Sequence, residues 1–230
     1  MAPVYWAWII SAVLAILLAV ALGVKIGRGL LGILIDGRGR YSLTHLQIVL
    51  WTLVVLPLVA GIAIGRLVDG VTDALDFTLP AQVLGVLGIA IGSTVTSTVI
   101  KNNANVRRSD VVAASSWRLK DPPRLSQVFL VEEGPLADRL IDVAKFQNFL
   151  VTVVLLVGYI GTAVSQLRHS ADPAAVTSLP DLSATFVTLL GISHAGYLTG
   201  KMVPSGEAPA PGLTVAMRNA GNPPDAPRNP

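Results

Sequence analysis

HLQIVLWTLVVLPLVAGIAIGRLV, residues 45–68, and KFQNFLVTVVLLVGYIGTAVSQLR, residues 145–168, are the stretches that decide the fold. Each is an apolar run of about 20 residues or more, the length a helix needs to cross the hydrocarbon core of a bilayer. They also stand at a constant offset of one hundred, and the correspondence continues without a gap from 45–101 into 145–201. Gln47, Leu50, Thr52, Val54, Gly61, Ala63, Leu67, Ala74, Leu79, Pro80, Ser93 and Lys101 recur as Gln147, Leu150, Thr152, Val154, Gly161, Ala163, Leu167, Ala174, Leu179, Pro180, Ser193 and Lys201. Chance matching in a chain so rich in Leu, Val and Ala gives roughly five identities over that length, so self-similarity is the better account.

Around this frame the composition is that of a membrane protein: 52% hydrophobic, 13% charged, with a mean hydropathy of +0.64. The charges are clustered, which leaves five runs of spanning length: Val4–Val24, Leu46–Gly65, Pro80–Ile100, Phe146–Gln166 and Leu182–Gly200. The expectation is an all-α integral membrane protein with five transmembrane helices. Every Lys and Arg except Arg66 and Arg168 would lie on one side, while the other side carries Asp69, Asp73, Asp76, Asp172 and Asp181. By the positive-inside rule the basic side is cytoplasmic, with the N-terminus outside and the C-terminus inside. The net charge of +3 then reflects topology and does not point to nucleic acid. Ala19-Val20-Ala21 resembles a signal-peptide cleavage site, but no basic residue precedes the first run, and Lys25 and Arg28 follow it. That charge order suits a retained anchor. No cysteine occurs, which excludes disulfides, thiolate metal sites and cysteine nucleophiles.

The expected organisation is an anchor over 1–25, a cytoplasmic interfacial segment over 26–44, and a first two-helix unit over 45–101. A cytoplasmic connection over 102–144, a second unit over 145–201 and a disordered tail over 202–230 follow. Two spans per unit give both units the same orientation, a parallel duplication about an axis along the membrane normal. Leu79-Pro80 and Leu179-Pro180 open the return helices, where proline is tolerated, and Lys101 and Lys201 close them. Thr44 and Gln47 have capping-box spacing, and Asp142 is the corresponding cap of the second unit. Leu136–Lys145 reads as an amphipathic lead-in, and Ser126–Val131 as a short ordered element. Residues 47, 50, 54 and 61 form one helix stripe, repeated at 147, 150, 154 and 161, so the two opening helices are expected to present equivalent faces. Gly88, Gly92, Gly191, Ala195, Gly196 and Gly200 are the expected helix-packing positions.

The candidate intramembrane polar residues are Gln47, Gln147, Ser93, Thr96, Ser193 and His194. Gln47 and Gln147 read as cap or interhelical partners in preference to a pore mouth. Ser93, Thr96 and their hydroxyl neighbours either bond back to their own helix or line a narrow aqueous path, the first being the commoner outcome. His194 is a functional suspect as an ionisable residue at depth. The favoured reading is a neutral imidazole bonded to a neighbouring helix, with Ser193 and Thr199 as polar company. Asp69, Asp73 and Asp76 read as a solvated outer loop; stacked on a helix they would offer oxygen ligands to a divalent cation. No phosphate-cradling glycine motif, no Ser/His/Asp order with plausible proximity and no paired carboxylates in a cleft emerge, so neither enzymatic activity nor a cofactor or metal site is expected. Trp51, Pro57, His194 and Tyr197 are the clearest differences between the two units.

The opening motif Ser42-Leu43-Thr44-His45-Leu46-Gln47…Leu50-Trp51-Thr52 and the closing run Leu190-Gly191-Ile192-Ser193-His194-Ala195-Gly196-Tyr197-Leu198-Thr199-Gly200-Lys201 resemble a family of bacterial, actinobacterial-type polytopic membrane proteins. The likeness spans about residues 30–201. It implies a multi-pass protein of the bacterial cytoplasmic membrane and carries no activity with it. The expected function is a non-enzymatic helical-bundle scaffold or subunit of a membrane assembly, in contact with lipid and with copies of itself or another membrane protein. The alternative is a small oligomeric channel or transporter, with a path near the Ser/Thr-rich third helix and His194.

Overall fold

The computed structural model is all-helical and describes residues 3–107, 122–132, 138–169 and 175–202. Five helices make the bundle: α1 (Pro3–Lys25), α2 (Leu43–Val68), α3 (Ala81–Arg107), α4 (Val143–His169) and α5 (Ala184–Met202). The first four are long and apolar enough to cross a membrane. The fifth has 19 residues, a length of about 28 Å, and is not among those four. The tail beyond Met202 and most of the central connection lie outside the described residues.

Local chemistry sets the helix ends. Gly27 and Gly70 both adopt a left-handed backbone, φ +72° and +78°, where a side chain would be strained. Each closes a Schellman turn: Arg28 N–H bonds Gly23 O and Gly27 N–H bonds Val24 O after α1, and Val71 bonds Arg66 O and Gly70 bonds Leu67 O after α2. At the start of α4 the Asp142 carboxylate accepts the Lys145 N–H at 3.2 Å, an N-cap bond. The capping box expected at Thr44 and Gln47 does not form. The Ser42 and Thr44 hydroxyls bond each other at 3.0 Å, and Gln47 is drawn across to α4. Of the expected lead-in Leu136–Lys145, Leu136 and Ala137 lie outside the described residues; 138–142 form a turn and an isolated Leu130↔Ile141 bridge, and the helix begins at Val143.

α1 runs antiparallel along α2 and makes the closest helix contact in the molecule. A Cβ placed on Gly61 would lie 2.5 Å from Trp8 Cα, and one on Gly65 would lie 2.8 Å from Val4 Cα. With no side chain at either glycine, the two helix backbones can come this close. α3 and α5 run parallel, with Gly85 against Val187 and Gly191 against Ile89. The outer turns meet: Thr78 and Ser178 form a parallel bridge, with Thr78 N–H bonded to Thr177 O and Leu179 N–H to Thr78 O.

The expected equivalence of the two opening helices is broken. On α2, Gln47 and Gly61 are buried; on α4, Gln147, Leu150, Val154 and Gly161 all face outward, with Leu150 at 45% and Val154 at 64% exposure. The buried stripe of α4 is Lys145, Asn148, Thr152, Leu155, Leu156, Tyr159, Ala163 and Leu167. It lies one residue further on, a rotation of about 100°. The physical reason is α1. It covers the Gly61/Gly65 side of α2, and among the described residues no helix covers the corresponding side of α4.

The packing glycines need the same correction. Among the described residues, only Gly191 of the expected set touches another helix; Gly88, Gly92, Gly196 and Gly200 are exposed with open space beyond them, and Ala195 is exposed too. Pro57 is buried within a continuous α2.

Candidate functional site

The bundle core is divided along its length. Towards the outer turns it is apolar: Leu58 and Ile62 of α2, Val83 and Val86 of α3, Ala163 and Leu167 of α4, and Leu182 before α5. Towards the other end, where Lys101 of α3 and Lys201 of α5 lie, α2 to α5 each contribute a buried polar stripe. These are Thr44 and Gln47 of α2, Ser93, Ser97 and Lys101 of α3, Lys145, Asn148 and Thr152 of α4, and Ser193 and His194 of α5. The three- and four-residue spacing within each stripe is that of one helix face. Trp51 and Tyr159 stand at the boundary between the halves, ring centroids 6.0 Å apart.

The lysine end is closed by Glu132, a residue of the connection before α4. Its carboxylate receives the ammonium groups of Lys145 at 2.8 Å, Lys201 at 3.1 Å and Lys101 at 3.3 Å. Lys101 also bonds Asp36 at 2.6 Å, Lys145 bonds Leu130 O at 2.7 Å, and Lys201 bonds Ser97 Oγ at 3.0 Å. Lys145 is only 1% exposed. So buried a set of charges is tolerated only because each has an opposite partner. Burial alone would raise the Glu132 pKa, but Lys145, Lys101 and Lys201 hold the carboxyl well below its ordinary value. Burial also opposes ionisation of Asp36, where Lys101 and the Arg40 and Arg38 backbone N–H groups win and the pKa is lowered. Arg40 pairs with Asp138, 3.0 Å on one arm, tying the two connections together. Beside the cluster opens a cavity of 230 Å³ lined by Lys101, Glu132, Asp142, Lys145, Tyr197 and Lys201.

Asp36 and Glu132 occupy matching places. Each follows a 3-10 turn, Gly32–Leu34 or Leu125–Val128, and an apolar residue in an isolated bridge, Ile35↔Tyr41 or Leu130↔Ile141. Asp36 binds Lys101, and Glu132 binds Lys201 together with Lys101 and Lys145.

Above the cluster the polar groups only partly satisfy one another. Gln47 Nε2 donates to Thr152 Oγ1 at 2.8 Å, Thr152 Oγ1 donates to Asn148 O at 2.9 Å, and Ser193 Oγ donates to Asn148 Oδ1 at 3.3 Å. Gln47 Oε1, Trp51 Nε1, Ser93 Oγ, Asn148 Nδ2, Tyr159 Oη and His194 Nε2 have no partner among the described residues, and Tyr197 Oη, near Ser97, makes no well-formed bond. Buried polar atoms are normally paired, so seven in one half-core form an unusual concentration.

Of the residues singled out in the sequence, Gln47, Ser93, Ser193 and His194 are buried in this half-core, whereas Gln147 is exposed and Thr96 is half-buried. The hydroxyls of Thr94 and Thr98 bond back to the carbonyls four residues earlier. His194 does not bond a neighbouring helix. Its Nδ1 lies 3.0 Å from Leu190 O of its own helix, and Thr199, bonded to Ala195 O, is exposed. A carbonyl only accepts, so Nδ1 carries the proton and a neutral ring leaves Nε2 as an acceptor. Asp69, Asp73 and Asp76 are exposed in turns after α2, not stacked on a helix. Among the described residues no three His, Cys, Asp or Glu are grouped to hold a metal.

Sequence reasoning missed Glu132, Asp36 and Asn148. A signal was present for the two acids: Ile33-Leu34-Ile35-Asp36-Gly37 is echoed by Phe129-Leu130-Val131-Glu132-Glu133-Gly134. The echo runs at an offset of 96, so a gapless offset of one hundred passes over it. Comparison with protein-family models, curated proteins and solved structures finds no match.

Proposed function

We propose that this chain is a non-catalytic, multi-pass protein of the bacterial cytoplasmic membrane that serves as a scaffold or subunit of a membrane assembly. It has five spans, N-terminus outside and C-terminus inside: a retained anchor, α1, and two duplicated hairpins in parallel orientation. The lysine end is then cytoplasmic, and the acidic outer turns face away. The parallel Thr78↔Ser178 bridge and the matched Asp36–Lys101 and Glu132–Lys201 pairs support the duplication.

The observation that carries the assembly reading is the outward position of Gly88/Gly92 and Gly196/Gly200. Both pairs have small-xxx-small spacing, which lets another helix approach closely, and among the described residues no helix packs against either. The occupant we favour is a second copy of the chain. The absence of native cysteine makes the test clean. Gly92→Cys or Gly196→Cys, oxidised in native membranes, should form a disulfide-linked dimer, while Leu14→Cys on the lipid face of α1 should not. A monomer at all three positions, with a monodisperse monomer in detergent, would overturn the reading.

A second reading, a small channel or transporter, is favoured by the buried positions of Ser93, Ser97 and His194 in the polar half-core. Proton or solute flux in proteoliposomes that is abolished by His194→Leu would support it; flux equal to that of empty vesicles would end it.

A further inference from the structure

The half-core just above the Glu132 cluster contains more hydrogen-bonding capacity than its own side chains consume. Its unpartnered atoms are complementary in kind: Gln47 Oε1 and His194 Nε2 accept, Asn148 Nδ2 and Trp51 Nε1 donate, and the Ser93 and Tyr197 hydroxyls do both. They come from all four helices α2 to α5. Each side chain is almost wholly buried: Asn148 is 0% exposed, Gln47 1% and Tyr197 2%. Left dry, each such group carries a desolvation penalty of about 1–3 kcal/mol, and lipid offers no partner.

Tyr197 connects this region to the exterior. It sits one turn before Lys201 with the Lys201 ammonium 4.9 Å from its ring centroid, and it lines the 230 Å³ cavity together with Lys101, Glu132 and Lys145. A route for small polar molecules therefore starts beside the lysine cluster and reaches Tyr197, with Ser97 and Ser93 on the adjoining face of α3. At the far side Leu58, Val86, Ala90 and Leu190, each 2% exposed or less, close the core with apolar atoms.

We propose that the polar half-core is an internally hydrated half-channel, whose waters enter beside Lys201 and bridge Tyr197, Ser93, His194, Asn148, Gln47 and Trp51. Water is the occupant that fits. It donates and accepts at once, each molecule satisfying about three groups, and mixed donors and acceptors with no surplus charge do not select an ion. Hydration also gives His194 Nε2 a donor it otherwise lacks. The half-channel ends at the apolar layer, so water reaches the bundle centre from the lysine end only. This holds for a monomer and for an oligomer alike, so the cysteine crosslinking result bears on it neither way.

The test is hydroxyl-radical footprinting of the full chain in lipid nanodiscs, since radicals formed in internal water label the aromatic side chains beside it. Trp51 and Tyr197 should be oxidised well above the level their exposure allows, at least several-fold faster than the apolar-layer residues Leu58 and Leu190 after correction for intrinsic reactivity. Asn148→Leu should reduce labelling at Trp51 several-fold and lower the thermal midpoint, because it removes a group that the water network satisfies. If Trp51 and Tyr197 label at background level and Asn148→Leu raises the midpoint, the half-core is dry and the proposal is wrong. A folded variant with unchanged labelling at Trp51 would equally remove Asn148 from the water path and overturn the network as drawn.

Discussion

The two ends of this bundle solve the same problem with different chemistry. At the outer turns the hairpins are joined through backbone groups: the Thr78–Ser178 bridge, and Val176 O, which accepts from the buried Arg66 guanidinium at 3.0 Å while Asp73 O of the same hairpin as Arg66 accepts at 3.2 Å. At the lysine end they are joined by side-chain charge, three ammonium groups converging on Glu132. Backbone bonds depend little on side-chain identity, so the outer junction tolerates substitution. A buried charge cluster does not, because removing one member leaves the others without compensation in a low-dielectric place.

The largest effect should follow from breaking the charged end. Glu132→Gln leaves Lys101, Lys145 and Lys201 facing one another and should lower stability by about 3–5 kcal/mol, whereas Arg66→Met at the other end should cost about 1–3 kcal/mol for its lost carbonyl bonds. Chemical denaturation in mixed micelles measures both; equal losses would erase the contrast between the ends. The same cluster sets an acid limit. The Glu132 and Asp36 carboxyls titrate below their unfolded values, so their stabilisation is complete above the ordinary carboxylate range and is lost as pH falls through the depressed folded values. The thermal midpoint should be level from pH 7 to about 5 and fall below that, and Glu132→Gln should flatten part of that fall.

An intermediate effect should come from α1. Gly61→Leu puts a side chain where Trp8 passes and should cost about 1–3 kcal/mol, the scale of overpacking, with α1 becoming accessible to protease. Gly161→Leu, at an outward position, should do neither. The smallest contrast concerns the matched glutamines. Gln47→Leu removes the bond to Thr152 and should cost about 1 kcal/mol; Gln147→Leu should lie within about 0.5 kcal/mol of the parent. A loss at Gln147 equal to that at Gln47 would restore the face equivalence that the fold denies.

Much of the helix plan was legible in the chain. The apolar runs gave helices at all five places, with α2 and α4 beginning at Leu43 and Val143, close to the expected Leu46 and Phe146. Lys201 lies one residue before the end of α5, as expected, whereas α3 continues beyond Lys101 to Arg107. Gln47, Ser93, Ser193 and His194 were recognisable as polar residues in apolar runs. Glu132 was not, because its segment reads as an ordinary solvated loop and its counterpart, Asp36, lies across a change of offset. Asn148 was hidden for another reason: it has no match at position 48, which is Ile.

By itself, then, the sequence determined which segments are helices, four of them of spanning length, about where they begin, and which landmarks recur. Only the tertiary structure decided which face of each helix turns inward and which acid answers which lysine. In a bilayer both lipid and neighbouring helices present apolar surface, so hydrophobic periodicity does not distinguish the two sides of a helix. The fit of α1 into Gly61 and Gly65 broke the symmetry of the opening helices, and ion pairing across more than thirty residues of chain closed the lysine end.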